Sequence, residues 1–145
     1  MNDDYTDDEL EQTRQVMLAV TGDKLDPDEI TKLLGAKPTF GCKKGVKREM
    51  FPGAETEQPT GVWHLEVRDM ERSLYEPKIH KVLDLVTDDL ARWKKITSRF
   101  EVVMFVDADI TDDEGGFFRL TPRTMRRLAE RGISLLVEVE DEEDE

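Results

Sequence analysis

Leu25 to Thr39 reads LDPDEITKLLGAKPT, and this stretch decides how the chain on either side is interpreted. Asp26 is placed to cap a helix whose first residue is Pro27. Glu29 stands where the carboxylate of a capping box would reach back to the cap amide. Gly35 ends the helix after Ile30, Leu33 and Leu34 have set an apolar face at helical spacing, so the helix must lie against a sheet or another helix. No residue in it has an evident chemical task.

Upstream, Arg14 to Thr21 carries Val16, Leu18 and Val20 on one face with Met17 and Ala19 on the other, which predicts a strand covered on both sides. Downstream, Lys37 to Pro59 is rich in Gly, Pro, Thr and Lys and reads as a long loop with a short edge strand near Val46 to Phe51. Gly61 to Met70 alternates, with Trp63, Leu65 and Val67 inward and His64, Glu66 and Arg68 outward. Ser73 and Glu76 offer a second capping box ahead of a helical stripe of Ile79, Leu83, Val86, Leu90 and Trp93, to which Ile96 and Phe100 are either an extension or a separate turn. Glu101 to Asp109 reads as a central strand, and Phe117 to Leu120 as a brief one. Thr121 caps a last helix with Pro122 first, Met125, Leu128 and Ala129 inward, and Gly132 at its end, before a closing strand over Ile133 to Val139.

Leu25, Asp26, Pro27, Ile30 and Leu33 are matched by Leu120, Thr121, Pro122, Met125 and Leu128. This is either an internal pseudo-repeat or two well-capped helices obeying the same rules. The expected fold class is α+β: one sheet of about five to six strands with two to three helices packed on it, a ferredoxin-like or related sandwich.

With 145 residues, of which 37% are hydrophobic, the chain suits one domain. The net charge of −13 is unevenly spread. Residues 1–12 hold six acids and no base, and 140–145 are acids throughout; taking these twelve from the 34 acids leaves 22 against 21 Lys and Arg. The expected organisation is therefore an acidic lead over 1–12, a near-neutral α+β domain over 13–139, and an acidic tail over 140–145. The single cysteine, Cys42, excludes an internal disulfide and suits a reducing compartment. No apolar run approaches the roughly 20 residues that span a bilayer. The expectation is a soluble cytoplasmic protein with no membrane partner.

The hydrophobic strand, the LDPDEITKLLGAKPT helix, the Lys44–Gly45 pair and the strand holding Trp63 together resemble a bacterial family known as domain of unknown function 4279. The resemblance runs from about Thr13 to Val139 and includes the helix around Leu83 to Leu90 and the Leu120-Thr121-Pro122 helix. It implies a small bacterial protein with no established activity and no catalytic residues to transfer; the acidic ends lie outside the pattern.

Lys37, Lys43, Lys44, Lys47 and Arg48 form a basic loop, but the glycine spacing fails as a P-loop. Arg119, Arg123, Arg126, Arg127 and Arg131 put a second basic face on the last helix, with Arg123, Arg127 and Arg131 one turn apart. Candidate anion-binding residues are Lys43, Lys44, Lys47, Arg48, Arg123 and Arg127. Nucleic acid is not an expected partner, because few aromatics accompany the arginines. Asp107, Asp109, Asp112, Asp113 and Glu114 fail the calcium-loop spacing. His64 and His80 read as surface histidines, Trp63 and Trp93 as packing, and Cys42 as a lone thiol. Catalytic, cofactor-binding and metal-ligating residues are all expected to be none. The leading expectation is a non-enzymatic partner-binding protein of the immunity type, neutralising a basic protein. The alternative is a small anion, nucleotide or nucleic-acid binding module that uses the 37–48 loop and the arginine-rich last helix.

Overall fold

The computed structural model describes residues 14–68, 75–109 and 118–140. The acidic lead, Ser73, residues 110–117 with Asp112, Asp113, Glu114 and Phe117, and the last five acids lie outside those residues. In chain order the elements are β1 (Arg14–Gly22), α1 (Pro27–Leu34), β2 (Phe40–Cys42), β3 (Lys47–Phe51), β4 (Ala54–Glu57), β5 (Gly61–Arg68), α2 (Tyr75–Leu85), α3 (Leu90–Thr97), β6 (Glu101–Asp109), α4 (Pro122–Arg131) and β7 (Ser134–Glu140).

Five strands form one sheet in the order β2-β5-β1-β6-β7, and β3-β4 is a separate two-stranded ribbon. β1 pairs antiparallel with both β5 and β6, β2 pairs antiparallel with β5, and β7 runs parallel to β6. The first four strands of the sheet thus have ferredoxin-like order, and α4 with β7 adds a parallel crossover unit at one edge. Four helices rather than two or three accompany the sheet.

Register aligns the buried rows: Val20 pairs with Trp63 and Val102, Leu18 with Leu65 and Met104, Val16 with Val67 and Val106. These residues pack with Ile30, Leu34, Ile79, Val82, Leu83, Trp93, Ile96 and Leu128 of the helices into one core. Strand alternation places all of this on one face of the sheet. The other face has no helix layer among the described residues, so Met17, Ala19, Val103 and Phe105 are only partly covered. That corrects the expectation that β1 is covered on both sides: its apolar alternation reflects a central position, not two helix layers.

Asp26 caps α1 as its sequence predicts, its Oδ1 accepting the Asp28 N–H at 3.0 Å. Glu29 does not complete a capping box. Its carboxylate instead takes both arms of Arg99, at 2.7 and 3.3 Å. Gly35 and Gly132 close α1 and α4 in the left-handed conformation, φ 73° and 76°, which a Cβ disfavours.

The Lys37 to Pro59 stretch is more regular than a loop: the short strand expected near Val46 to Phe51 is β3, paired with β4 in a separate hairpin, and β2 before it forms the edge of the main sheet. The predicted helical stripe breaks after Val86: Asp89 caps a new helix, its Oδ1 accepting the Ala91 N–H at 3.0 Å, and Leu90 is exposed. Ile96 belongs to α3, and Phe100 lies just before β6. Phe118 to Leu120 is not a strand. On α4 the inward residues are Thr124, Leu128 and Arg131, while Met125 is 50% exposed, so the helix is rotated from its sequence reading. Thr124 turns inward because Glu76 and His80 of α2 meet its hydroxyl; Arg131, also buried, bonds among the described residues only to its own helix, at the Arg127 carbonyl and Glu130. The two helices share an extended cap residue, a first-position Pro and a left-handed glycine end, but α4 is two residues longer than α1, so its glycine falls out of the repeat, and Thr121 makes no side-chain cap bond to its own helix. α1 also leads across β5 to the far edge, whereas α4 joins neighbouring strands.

Candidate functional site

The densest polar arrangement among the described residues is the seam between α2 and α4. Glu76 lies in the first turn of α2, and His80 and Asp84 follow at one-turn spacing on the same face. Opposite them α4 presents Thr121, Thr124 and Arg127. Glu76 Oε2 accepts the Thr121 N–H and the Thr121 hydroxyl, both at 2.7 Å, and the Thr124 hydroxyl as well. His80 Nε2 lies 2.7 Å from Thr124 Oγ1, and Arg127 Nη1 lies 2.7 Å from His80 Nδ1. Arg127 Nη2 reaches Asp84 at 3.0 Å.

Arginine has no acceptor, and arginines face both ring nitrogens: Arg127 Nη1 at 2.7 Å from Nδ1 and Arg123 Nη1 at 3.5 Å from Nε2; the much shorter contact places the lone pair on Nδ1 and the imidazole proton on Nε2. Protons then run one way: Arg127 donates to His80, His80 to Thr124, and Thr124 to Glu76. The bonds from Thr124, then the Thr121 backbone, hold the Glu76 carboxyl down to about 2. His80 is held below its ordinary value, first by burial and then by the charges of Arg123 and Arg127. Both groups therefore favour the protonation states that the chain of donors requires.

This geometry suits a clasp better than a nucleophile. Activating Thr124 needs an imidazole that accepts its proton, whereas here the imidazole donates to it and the proton points at Glu76. Thr124 is also fully buried. Glu76 further fills the place at the α4 N-terminus where an external anion would bind.

The candidate anion-binding residues do not form one site. Lys43, Lys44, Lys47 and Arg48 follow β2 at one edge of the sheet, while Arg123 and Arg127 sit on the helix leading to β7 at the other. Lys44 pairs with Asp23 at 3.3 Å, and Asp23 also accepts the Thr60 hydroxyl at 2.9 Å. Those bonds hold the Asp23 carboxyl below its usual range, Thr60 contributing most. Lys47 is registered opposite Glu57 on the β3-β4 ribbon, and the Arg48 guanidinium lies 5.0 Å from the centre of the Phe40 ring. Nor does the last helix offer a free basic stripe, since Arg127 is engaged and Arg131 is 5% exposed, donating to the Arg127 carbonyl at 3.0 Å.

His64 is half-buried on the open face beside Phe40, and burial lowers its pKa against the pull of Glu66. Cys42 is buried in β2, its Sγ 3.6 Å from the Lys43 carbonyl. Trp63 and Trp93 are core residues with satisfied indoles, bonded to Thr31 Oγ1 at 3.0 Å and the Thr87 carbonyl at 2.7 Å. A depression of about 530 Å³ between α1 and α3 is lined by Glu29, Lys32, Leu33, Lys95, Ser98 and Arg99; its one acid, Glu29, is paired with Arg99, and Lys32 and Lys95 make it a shallow basic surface with no convergent catalytic groups. Among the described residues no three His, Cys, Asp or Glu side chains gather in a way that could hold a metal ion. No helix among them is long and apolar enough to cross a membrane.

The sequence profile of the family described as Domain of unknown function (DUF4279) matches residues 11–142. The chain belongs to that family. No curated protein and no solved structure matches this DUF4279 chain. Its site residues therefore rest on geometry alone. The α2-α4 seam was missed in the sequence because its partners lie 43 to 48 positions apart; the one local hint was Glu76, His80 and Asp84 at four-residue spacing.

Proposed function

We propose that this DUF4279 chain is a non-enzymatic binding protein of the bacterial cytoplasm whose partner is a basic protein, with neutralisation of that protein as its role. The observation that carries the reading is where the excess negative charge lies in the sequence. Within the body acids and bases are nearly equal in number, 22 against 21, and several cations are paired locally: Lys44 with Asp23, Arg92 with Asp89, Arg99 with Glu29, Arg127 with Asp84. The excess that makes the chain −13 belongs to its two ends. A field concentrated in this way steers a partner of opposite sign and contributes more to selection and encounter rate than to contact energy. The direction of proton donation at the α2-α4 seam supports the non-enzymatic part of the reading.

The test is capture from cell extract by the full chain and by a variant with the acids of 1–12 and 140–145 replaced by Asn and Gln. Basic proteins should be retained by the first and lost by the second. The capture should also fade as salt shortens the Debye length from about 10 Å at 0.1 M to about 3 Å at 1 M. Equal capture by both would overturn the reading.

A further inference from the structure

We infer that the outer edge of β7 accepts an extended segment of the basic partner as a sixth strand of the main sheet, an inference that rests on the partner reading above. The two edges of the sheet are built differently. β2 is three residues long and is followed directly by the β3-β4 hairpin. β7 has seven residues, SLLVEVE, paired with β6 in an unbroken register and with no strand on its far side among the described residues. Edge strands that must stay alone are shortened, bulged, or carry charges, Lys above all, or Pro; β7 is full length and unbulged, with no Lys or Pro, and its only charges are Glu138 and Glu140, which repel an acidic strand and favour a basic one. Leu136 is 50% and Val139 52% exposed on it.

The side chains of β7 specify what would pair with it. Leu135 and Val137 are registered with Met104 and Val106, so they lie on the helix side of the sheet and extend the core to the edge. Leu136 and Glu138 are registered with Phe105 and Asp107 on the open side, and the sequence continues from Glu140 in unbroken acids. Directly opposed residues on a shared face determine the pairing energy. The complementary strand therefore alternates, with apolar residues against Leu135, Val137 and Val139 and basic residues on the face of Glu138. Main-chain bonds then supply affinity and the alternation supplies specificity, the mode of β-strand addition. A second copy of this chain fits poorly, because β7 contains no base and pairing it with itself would bring two chains of charge −13 together, Glu138 on the same face.

The experiment uses the full chain, isotope-labelled, and a seven-residue peptide of alternating valine and lysine, matched to the length of β7. The control replaces two of its valines with proline, which keeps the charge and removes main-chain donors. The alternating peptide should slow amide exchange in residues 134–140 about tenfold or more and bind at least about tenfold more tightly than the proline peptide, and Glu138→Lys should weaken it about tenfold at low salt. Equal affinity for both peptides would overturn strand addition and leave the basic-partner reading standing, as would binding that leaves residues 134–140 unprotected. Binding of neither peptide also overturns strand addition, while the charge-neutralised capture judges the partner reading separately. A dimer in sedimentation with β7 amides already protected would show the occupant to be a second copy and overturn the inference.

Discussion

The carboxylate of Glu76 stands at the start of a helix to which it does not belong, accepting the Thr121 N–H at 2.7 Å. It does for α4 what Asp26 does for α1 from within its own chain segment. A helix start carries unsatisfied donors and partial positive charge, so an anion fixed there from α2 ties the added crossover unit to the ferredoxin-like part of the fold. The bond also frees Thr121 and Thr124 to point their hydroxyls at the same oxygen, and so the inward stripe of α4 contains a threonine where sequence periodicity favours methionine.

Glu76→Gln should make α4 less stable in a way that depends on acid. The folded carboxyl, at about 2, lies below its ordinary 4.5. Its contribution is therefore complete above about pH 4.5 and is lost as the pH falls toward 2. Discounted for partial exposure, the loss at neutral pH is about 1–2 kcal/mol. Urea unfolding of both proteins at several pH values checks this: the curves should differ at pH 7 and draw together below pH 3.

His80 should titrate below 6.5, and Arg127→Met should move its midpoint upward. Burial and two guanidinium groups oppose its charge; removing Arg127 takes away one of them and also the donor that holds Nδ1 unprotonated. Because its folded value is lowered, the stability that His80 contributes is present above 6.5 and declines as the pH falls below it. Imidazole resonances followed by NMR across pH 4 to 8 give both midpoints. An unchanged midpoint in the variant would remove Arg127 from the account.

Local rules were legible wherever a few neighbouring residues decide the outcome. Asp26 with Pro27, the glycine stops at Gly35 and Gly132, and the alternation of Trp63, Leu65 and Val67 all emerge as read. The misreadings at two helix starts share one cause. Glu29 and Thr121 each have a favourable local partner in sequence, and each takes one from a distant element, Arg99 and Glu76, because a carboxylate bonded to a guanidinium or several donors gains more than a single cap bond. The arginine stripe of α4 fails in two ways: Arg127 is taken by Asp84 and His80 of α2, and Arg131 is buried against its own helix. Strand order was hidden because β5 enters between β1 and β2, a pairing that depends on a crossover and not on any residue in the strands.

Gly132→Ala should cost more than Gly35→Ala although both glycines have the same backbone conformation. A Cβ at Gly35 meets nothing within 4 Å, whereas at Gly132 it meets Thr97 Cγ2 at 3.1 Å. The first variant therefore registers only the left-handed penalty, about 1–2 kcal/mol. The second adds displacement of Thr97 at the packing of α3 against α4. Chemical unfolding midpoints of the two variants rank them, and Gly132→Ala combined with Thr97→Ser should recover part of the difference.

The Glu29–Arg99 contact tests whether a bidentate surface pair can replace a capping box. Both side chains are over 40% exposed, so the pair should be worth no more than about 1 kcal/mol and should weaken with salt. In a double-mutant cycle, Glu29→Ala and Arg99→Ala should each destabilise slightly and the double variant should cost less than their sum. Were Glu29 instead serving the Asp26 amide, its removal would cost the same with or without Arg99, and the coupling would vanish. Arg99 also lies 4.7 Å over the Phe100 ring, so its removal should show a small remainder that high salt does not abolish, while the Glu29 effect disappears at 1 M salt.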